Sequence, residues 1–177
     1  MKKYTVLILV LVAAMMLCAC GSDPSTSGNP GNNGSSAGSN VSTGGPVGYL
    51  FTYNGVQFGV DMKAESVLAS LGAPQDQYTS KSCAFEGEDT VYYYSSIEIS
   101  TNNEEGYERI YSIYLEDDLV STEEGVSVGS TAEAVKDAYG EPGSNSSDAA
   151  LIYEKDGMTL TFNLKNGVVS TILYNMI

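Results

Sequence analysis

The sequence predicts an α+β domain of two tandem repeats, each a helix followed by an antiparallel β-meander, with the helices packed on one face of the sheet. A repeated segment is the first observation behind this prediction. Residues 55–59 (Gly-Val-Gln-Phe-Gly) are echoed by residues 125–129 (Gly-Val-Ser-Val-Gly), and a short helical stretch ending in Gly-x-Pro follows each copy. The second observation is the alternation of apolar and polar residues after each helical stretch, which is typical of half-buried strands.

Local signals define the ends of the two predicted helices. Ser130, with Glu133 three residues later, forms a capping box, and Asp61 is suited to cap the first helix. Gly72 and Gly140 suit the residue with positive φ that follows a helix, and the proline two residues after each glycine prevents continuation. Each helix carries a short apolar stripe, which predicts a sheet beneath it.

Seven strands are predicted after the helices. In repeat one (55–118) and repeat two (125–177) they span residues 82–85, 90–94, 96–101, 109–116, 150–154, 158–164 and 168–175. In the second repeat, Asp156-Gly157 and Asn166-Gly167 separate alternating runs and are strong signals of two-residue hairpin turns.

An export signal precedes the predicted domain. Lys2 and Lys3 are followed by an apolar run over residues 6–17, which is the layout of a secretory signal peptide. The sequence Leu-Cys-Ala-Cys that ends at Cys20 resembles the lipobox of bacterial lipoproteins. This resemblance implies a signal peptide over residues 1–19, cleavage before Cys20 and a diacylglycerol with palmitate-type chains joined to its sulfur by a thioether. An ordinary signal peptide or an uncleaved anchor are the alternatives.

Residues 20–48 contain the predicted lipidated cysteine and a linker of Gly, Ser, Asn, Thr and Pro. Such a composition buries too little apolar surface to offset the entropy of ordering, so disorder is expected. A flexible chain of this length has an r.m.s. reach of about 30 Å. We therefore expect a globular domain over residues 49–177, anchored through lipid to the extracytoplasmic face of the cell membrane.

The charge of the chain is strongly acidic. Once the signal is removed, 6 basic residues face 22 acidic ones, a net charge of −16. This balance argues against a nucleic-acid partner, because such binding relies on Lys and Arg contacts to phosphate. Two interpretations stay open: solubility through self-repulsion, or a cation-dependent role. The acidic clusters lie at predicted turns and lack the spacing of a calcium loop, so neither a metal nor a cofactor is predicted.

Catalytic residues are scarce. The sequence contains no histidine, the commonest general base, and no nucleophile elbow or phosphate-binding loop. Cys83 is the only thiol of the predicted domain, and we interpret it as a buried, small apolar side chain. The sequence therefore predicts a protein that is not an enzyme.

Tyrosine is the residue that most suggests recognition. Consecutive tyrosines at 92–94 place two side chains on one face of a strand and one on the other. Because tyrosine is enriched at protein interfaces, we predict partner-binding roles for Tyr92, Tyr94, Tyr114 and Tyr174. Ordinary packing within the sheet is the alternative, since tyrosine is also a good strand former.

The pattern Gly-Val-x-x-Gly, a helix with Glu-x-Val, Gly-x-Pro and a meander resembles the tandem repeats of the beta-lactamase inhibitor protein fold. It is also similar to the single-repeat SmpA/OmlA lipoproteins of outer-membrane assembly. Residues 82–87 (Ser-Cys-Ala-Phe-Glu-Gly) and 112–115 (Ser-Ile-Tyr-Leu) resemble uncharacterised lipoproteins of anaerobic Gram-positive bacteria. These resemblances transfer no functional residue to this chain.

Together these features predict a cell-surface lipoprotein that acts as a non-catalytic binding module for a protein or envelope polymer. The alternative is an extracytoplasmic module that senses a cation or small ligand.

Substitution of Cys20 tests the anchor. Growth of the expressing cells with an alkyne-tagged palmitate is expected to label the wild-type chain and a Cys18→Ser control. The Cys20→Ser variant should lose the label completely and leave the membrane fraction, because the sulfur of Cys20 is the atom predicted to carry the lipid. Persistent labelling of Cys20→Ser contradicts the prediction.

Overall fold

The computed structural model describes residues 48–104 and 106–177. The predicted signal peptide, lipidated Cys20 and nearly all of the predicted linker lie outside this part of the chain. Within it there are nine strands and two helices. In chain order they are β1 (Phe51–Tyr53), β2 (Val56–Phe58), α1 (Ala64–Leu71), β3 (Asp76–Lys81), β4 (Glu88–Tyr93), β5 (Ile97–Glu104), β6 (Tyr107–Leu115), α2 (Ala132–Tyr139), β7 (Ala150–Lys155), β8 (Met158–Lys165) and β9 (Val168–Met176).

The domain is mostly β, with 49% strand and 12% helix, so the predicted α+β fold of two helix-plus-meander repeats is wrong. Seven strands form one antiparallel sheet in the order β3-β4-β5-β6-β9-β8-β7, and β1 and β2 form a separate hairpin. The prediction fails because β6 pairs with β9. This pairing joins strands that were assigned to separate meanders into one sheet. Each helix has only eight residues, and neither described helix is long and apolar enough to cross a membrane.

The helix caps differ from those predicted. The residue before α1 is Lys63, which makes no side-chain capping bond, whereas Asp61 lies further upstream at a φ of 65°. The cap of α2 is Thr131, whose hydroxyl accepts the Ala134 N–H, and Ser130 is one residue too early. The positive φ predicted for the glycine after each helix is confirmed, at 81° and 82°.

The predicted hairpins of the second half are confirmed. β7 pairs with β8 and β8 with β9, and both turns have positive φ at each central residue: 49° and 82° at Asp156-Gly157, and 55° and 78° at Asn166-Gly167. These angles match the type I′ turn that Asp-Gly and Asn-Gly favour. The strand predicted at residues 82–85 is wrong, because the chain turns there and the strand lies earlier, at Asp76–Lys81.

One face of the large sheet forms the hydrophobic core. A row of cross-strand neighbours runs through β4, β5, β6, β9, β8 and β7, in the order Tyr92, Ile99, Ile113, Tyr174, Leu160 and Tyr153. The small hairpin and both helices place their buried side chains in the same cluster, among them Phe51, Val67 and Val135. Each large apolar side chain buried there contributes roughly 1.5–3 kcal/mol. The described domain therefore has a core of its own.

Candidate functional site

The second face of the large sheet is turned away from the core. Strand alternation brings a row to this face through Asp76, Tyr93, Glu98, Tyr114, Leu173, Thr161 and Ile152. A second row runs through Tyr78, Val91, Ser100, Ser112, Asn175, Thr159 and Glu154. Each row crosses all seven strands. We call these fourteen side chains the outer face.

The described helices do not cover the outer face. Their buried residues (Ala64 and Val67 in α1, Val135 in α2) all belong to the core cluster on the opposite side of the sheet. The β1–β2 hairpin lies on the core side as well, where the Phe51 ring contacts Tyr174 at 5.8 Å between ring centroids. Both described helices and the β1–β2 hairpin therefore lie on one side of the sheet. The turn between β3 and β4 packs on the other side, where the Phe85 ring contacts Tyr111 beside the outer face.

The side chains of the outer face form two chemical strips. The first row carries most of the bulky side chains, including Tyr93 and Tyr114, both partly exposed. The second row is mainly hydroxyl and amide groups and begins at Tyr78, which is 64% exposed. The two rows contain three carboxylates and neither lysine nor arginine. The outer face is therefore a negatively charged sheet surface with tyrosines as its largest exposed groups.

Glu98 lies between Tyr93 and Tyr114 in the first row. Partial burial raises the pKa of its carboxyl above the usual range, and the charge of Glu116 and a hydrogen bond with it act in the same direction. No lysine or arginine of the described chain forms an ion pair with Glu98, whereas Lys63 and Arg109 each pair with another acid. Its ionised form is therefore poorly compensated at neutral pH.

The predicted partner-binding tyrosines are divided between the two faces. Tyr114 lies on the outer face, but Tyr92 and Tyr94 point to the core side and pack against it. The Tyr92 hydroxyl donates to Glu108 at 2.9 Å, and burial together with that bond raises the pKa of Tyr92 to about 12. The Tyr94 hydroxyl donates to the Gly72 carbonyl at 3.2 Å. Tyr92 and Tyr94 are therefore structural side chains of the core side.

Tyr174 is fully buried, so its assignment to a partner-binding surface is wrong. It faces Ile113 and Leu160 in the central row of the core. Burial raises the pKa of its hydroxyl, and the charges of Glu124 and Glu123 add to this effect. The hydroxyl has no hydrogen-bond partner among the described residues.

Two tyrosines of the outer face were not assigned to a site from the sequence. Tyr93 follows from the alternation in residues 92–94, but the alternation alone does not show which side faces outward. Tyr78 was missed because the first strand was placed at residues 82–85 instead of Asp76–Lys81. In both cases the missing information is the pairing partner of each strand.

Cys83 is exposed, which overturns its prediction as a buried thiol. It lies in the turn between β3 and β4, where the partly buried residue is Phe85. The Phe85 ring packs against Tyr111 at 5.2 Å between centroids and under the Arg109 guanidinium at 5.7 Å. The aromatic side chain of this turn, rather than the thiol, anchors it to the sheet.

The acidic clusters do not gather into a metal site within the described residues. No group of three or more Asp, Glu or Cys side chains there has a geometry suited to hold an ion.

Comparison with known proteins gives no family. No protein-family model matches the chain, and no curated protein shows significant similarity to it. A similar solved structure is the 1.5 Å crystal structure of an extracellular protein containing a SCP domain from Bacillus anthracis str. Ames. It is 12% identical, with a TM-score of 0.38, over 64% of this chain and 43% of that one. The present chain thus spans less than half of that protein, and a likeness this distant carries no functional argument.

The raised pKa of Glu98 predicts a pH-dependent stability difference. A carboxyl whose pKa is higher in the folded state destabilises the fold as pH rises above the unfolded pKa of about 4.3. Glu98→Gln should therefore be more stable than the wild type at pH 7, by at most about 0.5 kcal/mol because solvent screens a partly exposed charge, and the difference should vanish below that pKa. Urea unfolding at neutral and acidic pH measures it.

Asp148→Asn is the matched control, since Asp148 is exposed in the loop between α2 and β7. It should change stability little at either pH. A Glu98→Gln variant that is less stable than the wild type at pH 7 contradicts the assignment.

Proposed function

We propose that this protein is a cell-surface lipoprotein, anchored through Cys20, whose domain is a non-catalytic binding module for a protein or envelope component. The observation that carries the proposal is the outer face: a complete sheet surface with partly exposed tyrosines that no described helix covers. The predicted anchor and linker support a location outside the cytoplasm, where such a face would meet other envelope components.

The dimensions of the outer face suit recognition of a macromolecule. Seven strands at a spacing of roughly 4.8 Å span about 29 Å. The eight residues of β5 extend for about 27 Å at roughly 3.4 Å per residue. The product, about 800 Å², is the largest projected area of that whole side of the sheet, of which the outer face is the central part; it is comparable to what one partner contributes to a protein interface of standard size. An open sheet surface of this extent fits another surface or a polymer better than a small molecule.

The charge of the outer face points to a cationic partner. Asp76, Glu98 and Glu154 are its only charged residues, and the mature chain as a whole has a net charge of −16. Complementary potentials accelerate association and suppress wrong partners. A lysine or arginine placed beside Glu98 would also compensate a carboxylate that is poorly compensated in the free protein. The favoured partner is therefore a protein or polymer with exposed basic groups.

A hydrolytic role for paired carboxylates is less well supported. Glu98 and Glu116 lie close together on this sheet, near enough for a hydrogen bond between them to contribute to the raised pKa of Glu98. Glycosidases hold their two carboxyl groups about 5 Å or more apart, so that a sugar fits between them. A pair this close leaves no such space, which favours binding over catalysis.

Removal of the two central tyrosines tests the proposal. The wild-type domain, immobilised through its N-terminal linker, is exposed to envelope proteins and to envelope polymers in separate fractions. A partner retained by the wild type should bind the Tyr93→Ser/Tyr114→Ser variant about 10-fold more weakly, because central aromatic side chains supply much of an interface's binding energy. Titration of the purified partner against both proteins measures the ratio.

Tyr107→Ser is the matched control, since Tyr107 is 48% exposed at the end of β6 far from Tyr114. The affinity of this control for the partner should equal that of the wild type, and raised salt should weaken binding of the partner by both proteins. A partner that binds the double variant as tightly as the wild type shows that another surface is used. If neither fraction yields a retained partner, the binding-module proposal fails.

A further inference from the structure

A cavity of about 490 Å³ opens on the core side of the molecule, at the β7 edge of the sheet. Its walls come from the start of the described domain, the end of α2, the loop that follows and β7. The side chains that line it are Tyr49, Tyr139, Glu141, Asn145, Tyr153 and Glu154. The volume lies in the range typical of small-ligand sites, roughly 300–1,000 Å³. The cavity is therefore of a size that suits a small molecule rather than a protein surface.

Three tyrosine rings form an aromatic wall of the cavity. Ring–ring contacts and hydrogen bonds of their hydroxyl groups fix the positions of these rings. Tyr139 meets Tyr49 edge-on at 5.8 Å and Tyr153 at 5.3 Å between ring centroids. The Tyr153 hydroxyl donates to the Gly140 carbonyl at 3.0 Å, and the Tyr139 hydroxyl donates to Glu124. Because two of the three hydroxyls are engaged elsewhere, ring surface is the main recognition element that this wall offers.

The charges around the cavity favour a cation. Glu141 and Glu154 line it, and neither forms an ion pair with a lysine or arginine of the described chain. The Glu154 carboxylate accepts a hydrogen bond from Asn145 at 2.9 Å, which fixes it at the cavity wall. The Lys155 ammonium lies 5.4 Å from the centroid of the Tyr49 ring. The Tyr49 ring thus already holds one ammonium group in a cation–π contact, from a lysine next to the cavity.

We propose that this cavity binds a small organic ammonium ion, with its alkyl groups against the tyrosine rings and its charge facing Glu141 and Glu154. Ring faces attract cations through their quadrupole, and aromatic cages are a general solution for alkylated ammonium groups. Lys155 acts in this site as an internal competitor, which a ligand displaces from the Tyr49 ring. The inference does not depend on the outer face having a partner, because the tyrosine rings lie on the core side of the sheet. Glu154, at the β7 edge, is the one residue that the cavity shares with the outer face.

Titration calorimetry of the full chain, purified in an uncharged maltoside detergent, tests the proposal. Choline and ethanolamine serve as quaternary and primary ammonium probes, and the neutral isostere of choline, with carbon in place of nitrogen, serves as the reference. Binding of at least one ammonium probe, together with weaker binding of the neutral isostere, supports the site. Failure of both ammonium probes to bind, or equal binding of the neutral isostere, overturns it.

Three single variants connect the binding to this cavity. Tyr49→Leu should weaken binding of the ammonium probe about fivefold to thirtyfold, through loss of the cation–π contact. Glu141→Gln should weaken it about twofold to fivefold, as expected for a solvent-exposed charge pair. Lys155→Gln should strengthen it, because the competing ammonium is gone. An anionic ligand would respond in the opposite way to the last two variants.

Glu133→Gln is the matched control, since Glu133 is exposed on α2 and does not line the cavity. Its affinity for the ammonium probe should equal that of the wild type. Glu141 is exposed and Lys155 lies at the edge strand, so both variants are expected to keep the fold, which thermal unfolding verifies. Unchanged affinity in Tyr49→Leu, Glu141→Gln and Lys155→Gln alike overturns the proposal.

Discussion

The antiparallel pairing of β6 with β9 is the contact on which the rest of the domain depends. Four residue pairs join the strands of the first half to those of the second. The pair Ile113–Tyr174 lies at the centre of the core row, and both side chains are fully buried. Without this pairing, two smaller sheets would each have to cover an apolar face in a unit of about sixty residues, and units of that size are marginally stable.

The register of the β6–β9 pairing also decides which side chains the domain exposes to solvent. Side chains alternate along a strand, so a slip of one residue would exchange the two faces. With the observed register Tyr92 belongs to the core side and Tyr93 to the outer face. The same pairing aligns Tyr114 with Glu98 on one side and with Leu173 on the other. The strand register therefore determines both which side chains form the core and which form the candidate binding surface.

Local signals in the sequence were sufficient for the two hairpins of the second half and for the glycine after each helix, but not for the residues that precede the helices. The Asp156-Gly157 and Asn166-Gly167 turns specify their hairpins because their backbone angles are accessible to these residue types. The joining of β6 to β9 was not predicted, since it links residues about sixty positions apart and has no local signal. Apolar residues also occur on both faces of β6, so its sequence did not show which face is buried. For that reason the burial of Tyr174, which pairs with β6, was not predicted.

The candidate sites show the same division between local and distant information. Tyr114 was recognised as a partner-binding candidate from its residue type, whereas Tyr78 and Tyr93 required the strand order. The Tyr49–Tyr139–Tyr153 cavity joins three segments separated by up to about a hundred residues, and only the packed structure brings their rings together.

Native-state hydrogen exchange of the backbone amides is the most direct test of the β6–β9 pairing. If β6–β9 pairing makes one cooperative domain, the slowest amides of β5, β6, β8 and β9 should open with the same free energy, equal to that of global unfolding. The edge strands β3 and β7 should exchange faster. Two groups of amides with clearly different opening free energies, one in β3–β6 and one in β7–β9, would contradict the account, because each half would then unfold without the other.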